Sequence, residues 1–215
     1  GTANVGTMTG RCGEVVDMAE RRKLDVCCLQ ETRWKGGGAM MFGNYKFIWA
    51  GGRKGTAGVG FLVEKSWVDK VLEVRRCSER IMVLRVRVGK AVLCLVSVYA
   101  PQVGGTREEK EEFFVSLGEV LLAVDAKERL VVCGDMNGHV GAKRDGFEGV
   151  HGGYGYGDRN AEGEMLLEFT DAMKLVVANT WFKKEDHRLI TYESGGCRTV
   201  VDYILVRKAE MRWLT

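Results

Sequence analysis

Val131-Val132-Cys133-Gly134-Asp135-Met136-Asn137 decides how the rest of the chain is read. A short β-branched run that breaks at glycine predicts an interior strand and the turn at its C-terminal end. In proteins that mix strands and helices, such turns present polar groups to ligands. An Asp and an Asn two residues apart can face one small polar object, a water or a phosphate oxygen. Alone the pair carries little, because Asp and Asn are ordinary turn formers. Its weight depends on what else converges on it.

Outward from this stretch, apolar runs alternate with turns. Residues 11–23 suit an amphipathic helix, and 25–30 a buried strand ending in Gln30-Glu31-Thr32. Residues 45–49 and 58–63 predict two further strands, and 71–74, 80–88 and 91–99 a β-meander with a tight Gly89-Lys90 turn. Thr106 with Glu109 three residues later matches a capping box, opening a helix that carries Phe113, Leu117 and Leu121. A second helix is predicted over 162–173, and strands over 175–178, 189–192 and 199–206. The glycines at 36–38, 51–60, 134–157 and 195–196 read as punctuation between strands. Strands outnumber helices and many join by hairpins. This predicts one α/β domain over residues 1–215, with two mixed β-sheets packed face to face and helices outside.

Composition excludes several classes. With 215 residues and a net charge of +3, the chain has room for a sizeable core and no global polyanion-binding signature. Seven cysteines, an odd number without paired metal-ligand spacing, argue against a disulfide framework and against zinc. The expected setting is reducing and intracellular. No apolar run reaches the ~18 residues that span a bilayer, so no membrane partner is expected.

Five strands are expected to end in a polar group: Asn4, Glu31, Tyr99, Asp135 with Asn137, and Asp202. A buried strand-end carboxylate costs several kcal/mol unless a cation, a donor or water meets it. Oxygen-rich sites of few ligands suit Mg2+ or Mn2+.

The ordered motifs Asn4, Gln30-Glu31-Thr32, Ser97-Val98-Tyr99-Ala100-Pro101, Gly134-Asp135-Met136-Asn137 and Val201-Asp202-Tyr203-Ile204 resemble the endonuclease/exonuclease/phosphatase superfamily across essentially the whole chain. Three details sharpen the likeness: Gln30-Glu31-Thr32-Arg33-Trp34, the run from Gly134 through His139 to Gly141, and Gly152-Gly153-Tyr154-Gly155-Tyr156-Gly157 leading to Arg159-Asn160. They resemble the endonuclease domain of RTE/BovB-type LINE retrotransposons, domesticated host copies included. The resemblance implies a DNase I-like four-layer α/β sandwich. It also implies a Mg2+-dependent endonuclease (Mn2+ as a substitute) that nicks DNA to leave a 3′-hydroxyl. Glu31 is implied as metal ligand with Asn4 beside it, and Asp135 as the group that orients or deprotonates the attacking water. Asn137 and Tyr99 are implied to hold the phosphate, and Asp202 to orient a catalytic histidine. Arg159, Asn160 and Thr191 lie in loops expected to touch the DNA backbone. A monomer acting in the nucleus is expected, with a reverse-transcriptase domain in the full-length gene.

Two departures from the family pattern stand out. No Ser-x-His motif follows Asp202, and His139, His151 and His187 do not replace it. A missing C-terminal strand and histidine are therefore expected, with weak or absent nicking. Only three residues precede Asn4, so its strand is expected to pair briefly and hold Asn4 loosely. The alternatives are a catalytically dead, domesticated interaction module on the same fold, or a phosphatase or lipid phosphodiesterase.

Overall fold

The strand predicted over 130–133 extends to Arg129–Asp135 and lies parallel to Ala91–Tyr99, with Tyr99 opposite Asp135. Residues 1–214 are described in this computed structural model, the Ser194 side chain excepted. They divide into two compact units, Gly1–Tyr99 with Ala123–Asp135, and Ala100–Leu122 with the chain from Met136 onward.

In the first unit the elements run β1 (Thr2–Asn4), α1 (Cys12–Arg21), β2 (Val26–Gln30), β3 (Gly36–Phe42), β4 (Tyr45–Gly51), β5 (Val59–Glu64), α2 (Lys65–Val68), β6 (Val71–Arg76), β7 (Ile81–Val88) and β8 (Ala91–Tyr99), with β9 (Arg129–Asp135) returning later. One sheet has the order β1-β2-β5-β4-β3, with β1 parallel to β2 and the other pairs antiparallel. The other runs β9-β8-β7-β6, with only β8 and β9 parallel. Helix α1 buries Val15, Val16 and Ala19 against Leu29, Phe47 and Leu62 of the first sheet.

The two sheets of this unit are joined by a buried polar bridge. Gln30 Nε2 donates to Ser97 Oγ at 3.3 Å, and Ser97 Oγ donates to the Leu29 carbonyl at 3.2 Å. Thr2 Oγ1 donates to Gln30 Oε1 at 3.1 Å. An unmade hydrogen bond at a buried amide costs about 1–3 kcal/mol, so this chain of bonds favours one alignment of the two sheets over its neighbours. Cys27, Cys28, Cys94 and Cys133 are buried free thiols. Burial pushes the Cys27 thiol up to about 11, as expected of a small core residue.

The second unit contains α3 (Arg107–Leu122), α4 (Ala161–Ala172), β10 (Leu175–Val177), α5 (Asp186–Leu189), β11 (Tyr192–Ser194), β12 (Cys197–Thr199) and β13 (Asp202–Arg207). Strands β10 and β13 pair antiparallel, as do β11 and β12. The capping box at α3 forms as predicted: Glu109 N donates to Thr106 Oγ1 at 3.2 Å and Thr106 N donates to Glu109 Oε2 at 2.9 Å. Phe114 and Phe169 pack α3 and α4 together with ring centroids 5.0 Å apart.

Four expectations need correction. Residues 36–38 are not punctuation but the start of β3, where the missing side chain at Gly38 makes room for the Trp49 ring; an added Cβ would lie 2.4 Å from it. Residues 189–192 are not one strand, because the turn α5 runs through Leu189 before β11 begins at Tyr192. The strand predicted over 199–206 is interrupted, since Thr191 Oγ1 takes the backbone N–H groups of Val201 and Asp202. Asp202 consequently opens β13 instead of closing a strand.

Candidate active site

In the first unit the C-terminal ends of β1, β2, β8 and β9 gather four of the predicted residues. The β1–β2 ladder sets Asn4 beside Gln30, so Asn4 is one residue from Glu31, and the β8–β9 ladder sets Tyr99 beside Asp135. Asn4 Nδ2 donates to Asp135 Oδ2 at 2.9 Å, while Asn4 Oδ1 accepts from Gly6 N at 3.0 Å. The three-residue strand is as short as expected, but Asn4 is bonded at both ends of its amide and not loosely held. Asp135 is 4% exposed.

Backbone strain collects at the same strand ends. Five non-glycine residues among those described have positive φ. Lys23 and Lys174 follow helices α1 and α4, where a left-handed residue is the usual terminator. The other three are Glu31 (57°), Arg33 (54°) and Asn137 (48°). Left-handed residues outside helix ends cost of order 1–3 kcal/mol and persist where surrounding bonds fix them. Here Thr32 N donates to the Gly58 carbonyl at 3.1 Å and Arg33 N to the Ala57 carbonyl at 2.8 Å. Gly58 has φ of 117°, and a Cβ there would lie 2.4 Å from Thr32 Oγ1.

The kinked backbone folds Arg33 back on Glu31. Arg33 Nε reaches Glu31 Oε1 at 3.2 Å and Nη2 meets the same oxygen. The paired carboxylate raises the Arg33 guanidinium above its ordinary value, with Tyr99 adding slightly. Sequence reading missed Arg33 as a site residue. Only the left-handed turn at Glu31 and Arg33 brings the two together, and no spacing rule announces it. Arg80 was also missed: its guanidinium sits 5.2 Å from the Tyr99 ring centroid and donates to the Tyr99 carbonyl at 3.1 Å.

The second unit holds the remaining candidates. Asn137 Nδ2 donates to the Ala100 carbonyl at 2.8 Å, and Met136 N donates to the Val201 carbonyl at 2.8 Å, bringing Asn137 near Asp202. Asp202 is 9% exposed and Thr191 Oγ1 accepts from its N–H at 3.2 Å. Arg159 is spent on architecture. It donates to the carbonyls of Val140, Asp145 and Lys143, pairs with Glu164 at 3.1 Å and stacks on Phe147. Asn160 caps α4, its Oδ1 accepting from Gly163 N and His139 N at 2.8 Å each. His151 is fully buried, with Nδ1 accepting from Gly153 N at 3.0 Å, which leaves Nε2 to donate to the Gly141 carbonyl at 3.0 Å. Burial holds its pKa below the ordinary value, and Arg159 and Arg144 push it the same way.

The donors at the strand ends suit a hard divalent cation. Glu31 offers a carboxylate and Asn4 an amide oxygen, and no group of three or more His, Cys, Asp or Glu converges among the described residues. Such a sparse, all-oxygen set fits Mg2+, which keeps waters and takes further oxygens from a phosphate; a closed zinc centre needs more protein ligands.

A model of the "Endonuclease/Exonuclease/phosphatase family" matches residues 1–212. Craniofacial development protein 2 of Bos taurus is 29% identical over 217 residues, covering 99% of this chain and 36% of that protein. Its counterpart in Tragulus javanicus is 28% identical, with 99% and 37% covered. The chain thus spans little more than a third of these curated relatives. Among solved structures, the endonuclease domain of TRAS1, a telomere-specific non-LTR retrotransposon, superposes with TM-score 0.68 at 17% identity, covering 98% of this chain and 85% of that one. The APE2 catalytic domain of Xenopus laevis gives 0.71 at 14%, with 98% and 82% covered. The 3′ phosphatase NExo from Neisseria, bound to a product DNA hairpin, gives 0.69 at 18%, with 98% and 87% covered. These share the fold, two mixed β-sheets with helices, and the chain belongs to the endonuclease/exonuclease/phosphatase family.

Proposed function

We propose that the chain is a metal-dependent DNA endonuclease of the retrotransposon type, which nicks one strand and leaves a 3′-hydroxyl. The observation that carries the reading is the bond from Asn4 to Asp135 at strand ends that also carry Glu31 and Tyr99. Phosphodiester hydrolysis needs an aimed water, neutralised phosphate oxygens and support for the leaving alkoxide. Asp135, fixed by Asn4, accepts the proton of the attacking water and aims it. Tyr99 and Asn137, the latter two residues beyond Asp135, donate to the phosphate oxygens. Glu31 and Asn4 would hold Mg2+, which when bound would supply Lewis-acid neutralisation of the phosphate. Asp202 fits the family's histidine-orienting carboxylate. The protein would act as a nuclear monomer, in one polypeptide with a reverse transcriptase.

One observation favours the interaction-module reading: Arg33 pairs with Glu31, the carboxylate proposed to hold the metal. Two measurements separate the readings. Mg2+ at tenfold excess over its Kd should raise Tm by roughly 3–6 °C, and Glu31→Gln should remove that rise. Supercoiled plasmid should be nicked slowly in Mg2+, and Asp135→Asn should stop it. Neither a Tm shift nor nicking would leave the module reading standing.

A further inference from the structure

Within the second unit a groove of about 860 Å³ separates α3 and α4, and no candidate site residue lines it. The helices lie side by side in the same direction. Lys110 Nζ donates to Glu162 Oε1 at 2.9 Å near their N-terminal ends, and Phe114 meets Phe169 further along. The floor is apolar: Phe114, Val115, Met165, Phe169 and Ala172. Val115 is 63% exposed, and Leu122, two turns on along the same face of α3, is 79% exposed. Contiguous apolar surface rimmed by charge marks a protein-binding site. Gly118 sits on that face between Val115 and Leu122. A Cβ there would meet the Phe169 ring at 3.7 Å, an ordinary contact, so packing does not require the glycine. Glycine weakens a helix interior relative to alanine, and what it leaves here is room beside the Phe169 ring.

Charge decides what fits the groove. The chain as a whole is net positive, yet α3 carries five glutamates against Arg107 and Lys110, and α4 carries three glutamates and Asp171 against no base. Both bases are already paired, Arg107 with Glu111 and Lys110 with Glu162. Glu112 and Glu119 bracket Val115 on the outer side of α3, and Glu168 and Asp171 lie along the outer side of α4. All four are exposed and make no ion pair among the described residues. An apolar floor between two acidic flanks repels a polyanion or an anionic membrane surface. A second copy docking by the same face would set acid against acid. Nor does α1 supply a complement, since it carries Glu14, Asp17 and Glu20 against Arg21.

We propose that the α3–α4 groove is a docking site for a basic amphipathic helix of a partner protein. Its apolar face rests on Phe114, Val115, Met165 and Phe169, and its lysines or arginines meet Glu112 and Glu119 on one side and Glu168 and Asp171 on the other. A 16-residue helix is about 24 Å long, so α3 offers a seat for roughly four turns. The site is independent of the endonuclease reading and needs neither DNA nor metal.

Fluorescence anisotropy tests this with a labelled peptide of about 18 residues, leucines along one helical face and lysines elsewhere. The 215-residue chain should bind it saturably, at least about tenfold more tightly than a scrambled peptide of the same composition whose leucines fall all round the helix. Val115→Lys changes an exposed side chain that the fold does not depend on, and it should weaken binding roughly tenfold. The triple variant Glu112→Lys, Glu119→Lys, Glu168→Lys should weaken it roughly 10–100-fold. The charge-matched control Asp17→Lys, Asp69→Lys, Glu185→Lys should bind as the wild type does. Equal binding of the two peptides, equal behaviour of the two triples, or no binding by the wild type overturns the docking site. Sedimentation covers the remaining occupant: a dimer that Val115→Lys dissociates would give the groove to a second copy and overturn the proposal too.

Discussion

Two regions rich in the same residue types put them to opposite uses. In the stretch 138–160 three polar side chains are turned onto the protein's own backbone: Arg159 braces three carbonyls, Asn160 caps α4, and His151 closes a loop between Gly141 and Gly153. At residues 31–35 the backbone is bent into the left-handed region at Glu31 and Arg33, and an ion pair covers a carboxylate that no backbone donor claims. One region uses polarity to hold a glycine-rich loop in shape. The other bears strain to hold a carboxylate at a strand end. Polar residues in loops identify function only when their bonds to their own backbone have been subtracted.

Substitutions can break this contrast. The largest effect is expected at Asp135→Ala, which strands the Asn4 amide and removes the water-aiming group. Nicking should fall at least 100-fold, on the scale of losing a general base, and stability by about 1–3 kcal/mol from the unmade bond. Plasmid relaxation and urea unfolding read the two losses separately.

Arg159→Met should act in the reverse sense. Losing its carbonyl bonds should cost about 2–3 kcal/mol, a Tm drop of roughly 4–12 °C, while the remaining folded protein keeps its Mg2+-induced shift. A lost Mg2+ response at full stability would return Arg159 to the site. Asn160→Ala is the milder probe of the same region, at about 1 kcal/mol for a helix cap.

Acidification sharpens the contrast without mutation. His151 is buried neutral with a lowered pKa, so the unfolded chain binds its proton first. Its contribution is fully present above about pH 6.5 and is lost as pH falls from there towards its folded value. His151→Gln, which keeps hydrogen-bonding capacity, should flatten Tm between pH 7 and 5; an unchanged slope would put the acid sensitivity elsewhere.

The smallest effect is expected at Arg33→Ala. The pair is exposed on the arginine side, so stability should move by under about 0.5 kcal/mol. Removing a competitor for the carboxylate should tighten Mg2+ binding a few-fold by calorimetry. Weaker binding would make Arg33 a support for Glu31 and not a rival.

Much of this was legible in sequence because period-2 runs, the Thr106 capping box and the Gly-Asp-x-Asn strand end each have a local cause. Strand β7 announces itself by alternation around Arg85 and Arg87, and β8 by a nearly unbroken apolar run. The edge strand β3 does not, because Gly38 is explained only by the Trp49 ring lying over it. The break before β13 is set by Thr191, ten and eleven residues away, and the Arg33–Glu31 pair by a backbone bend. Asn4, Glu31, Tyr99 and Asp135 were found as strand-end residues; Asp202 was found by motif, but at the wrong end of its strand. The internal bonds of Arg159 and Asn160 were not legible, because a loop's side chains look alike in sequence whether they face a ligand or their own carbonyls.

The bond between Asn4 and Asp135 spans 131 positions of the chain. A ribosome adding about 5–20 residues per second leaves Asn4 waiting on the order of ten seconds before its partner exists. During that interval β1 and β2 can pair, because both come from the first thirty residues, but Asp135 cannot be in place. A nascent chain therefore carries Glu31 well before Asp135, and the arrangement proposed to cut DNA is assembled only once the last strand of the first unit has emerged.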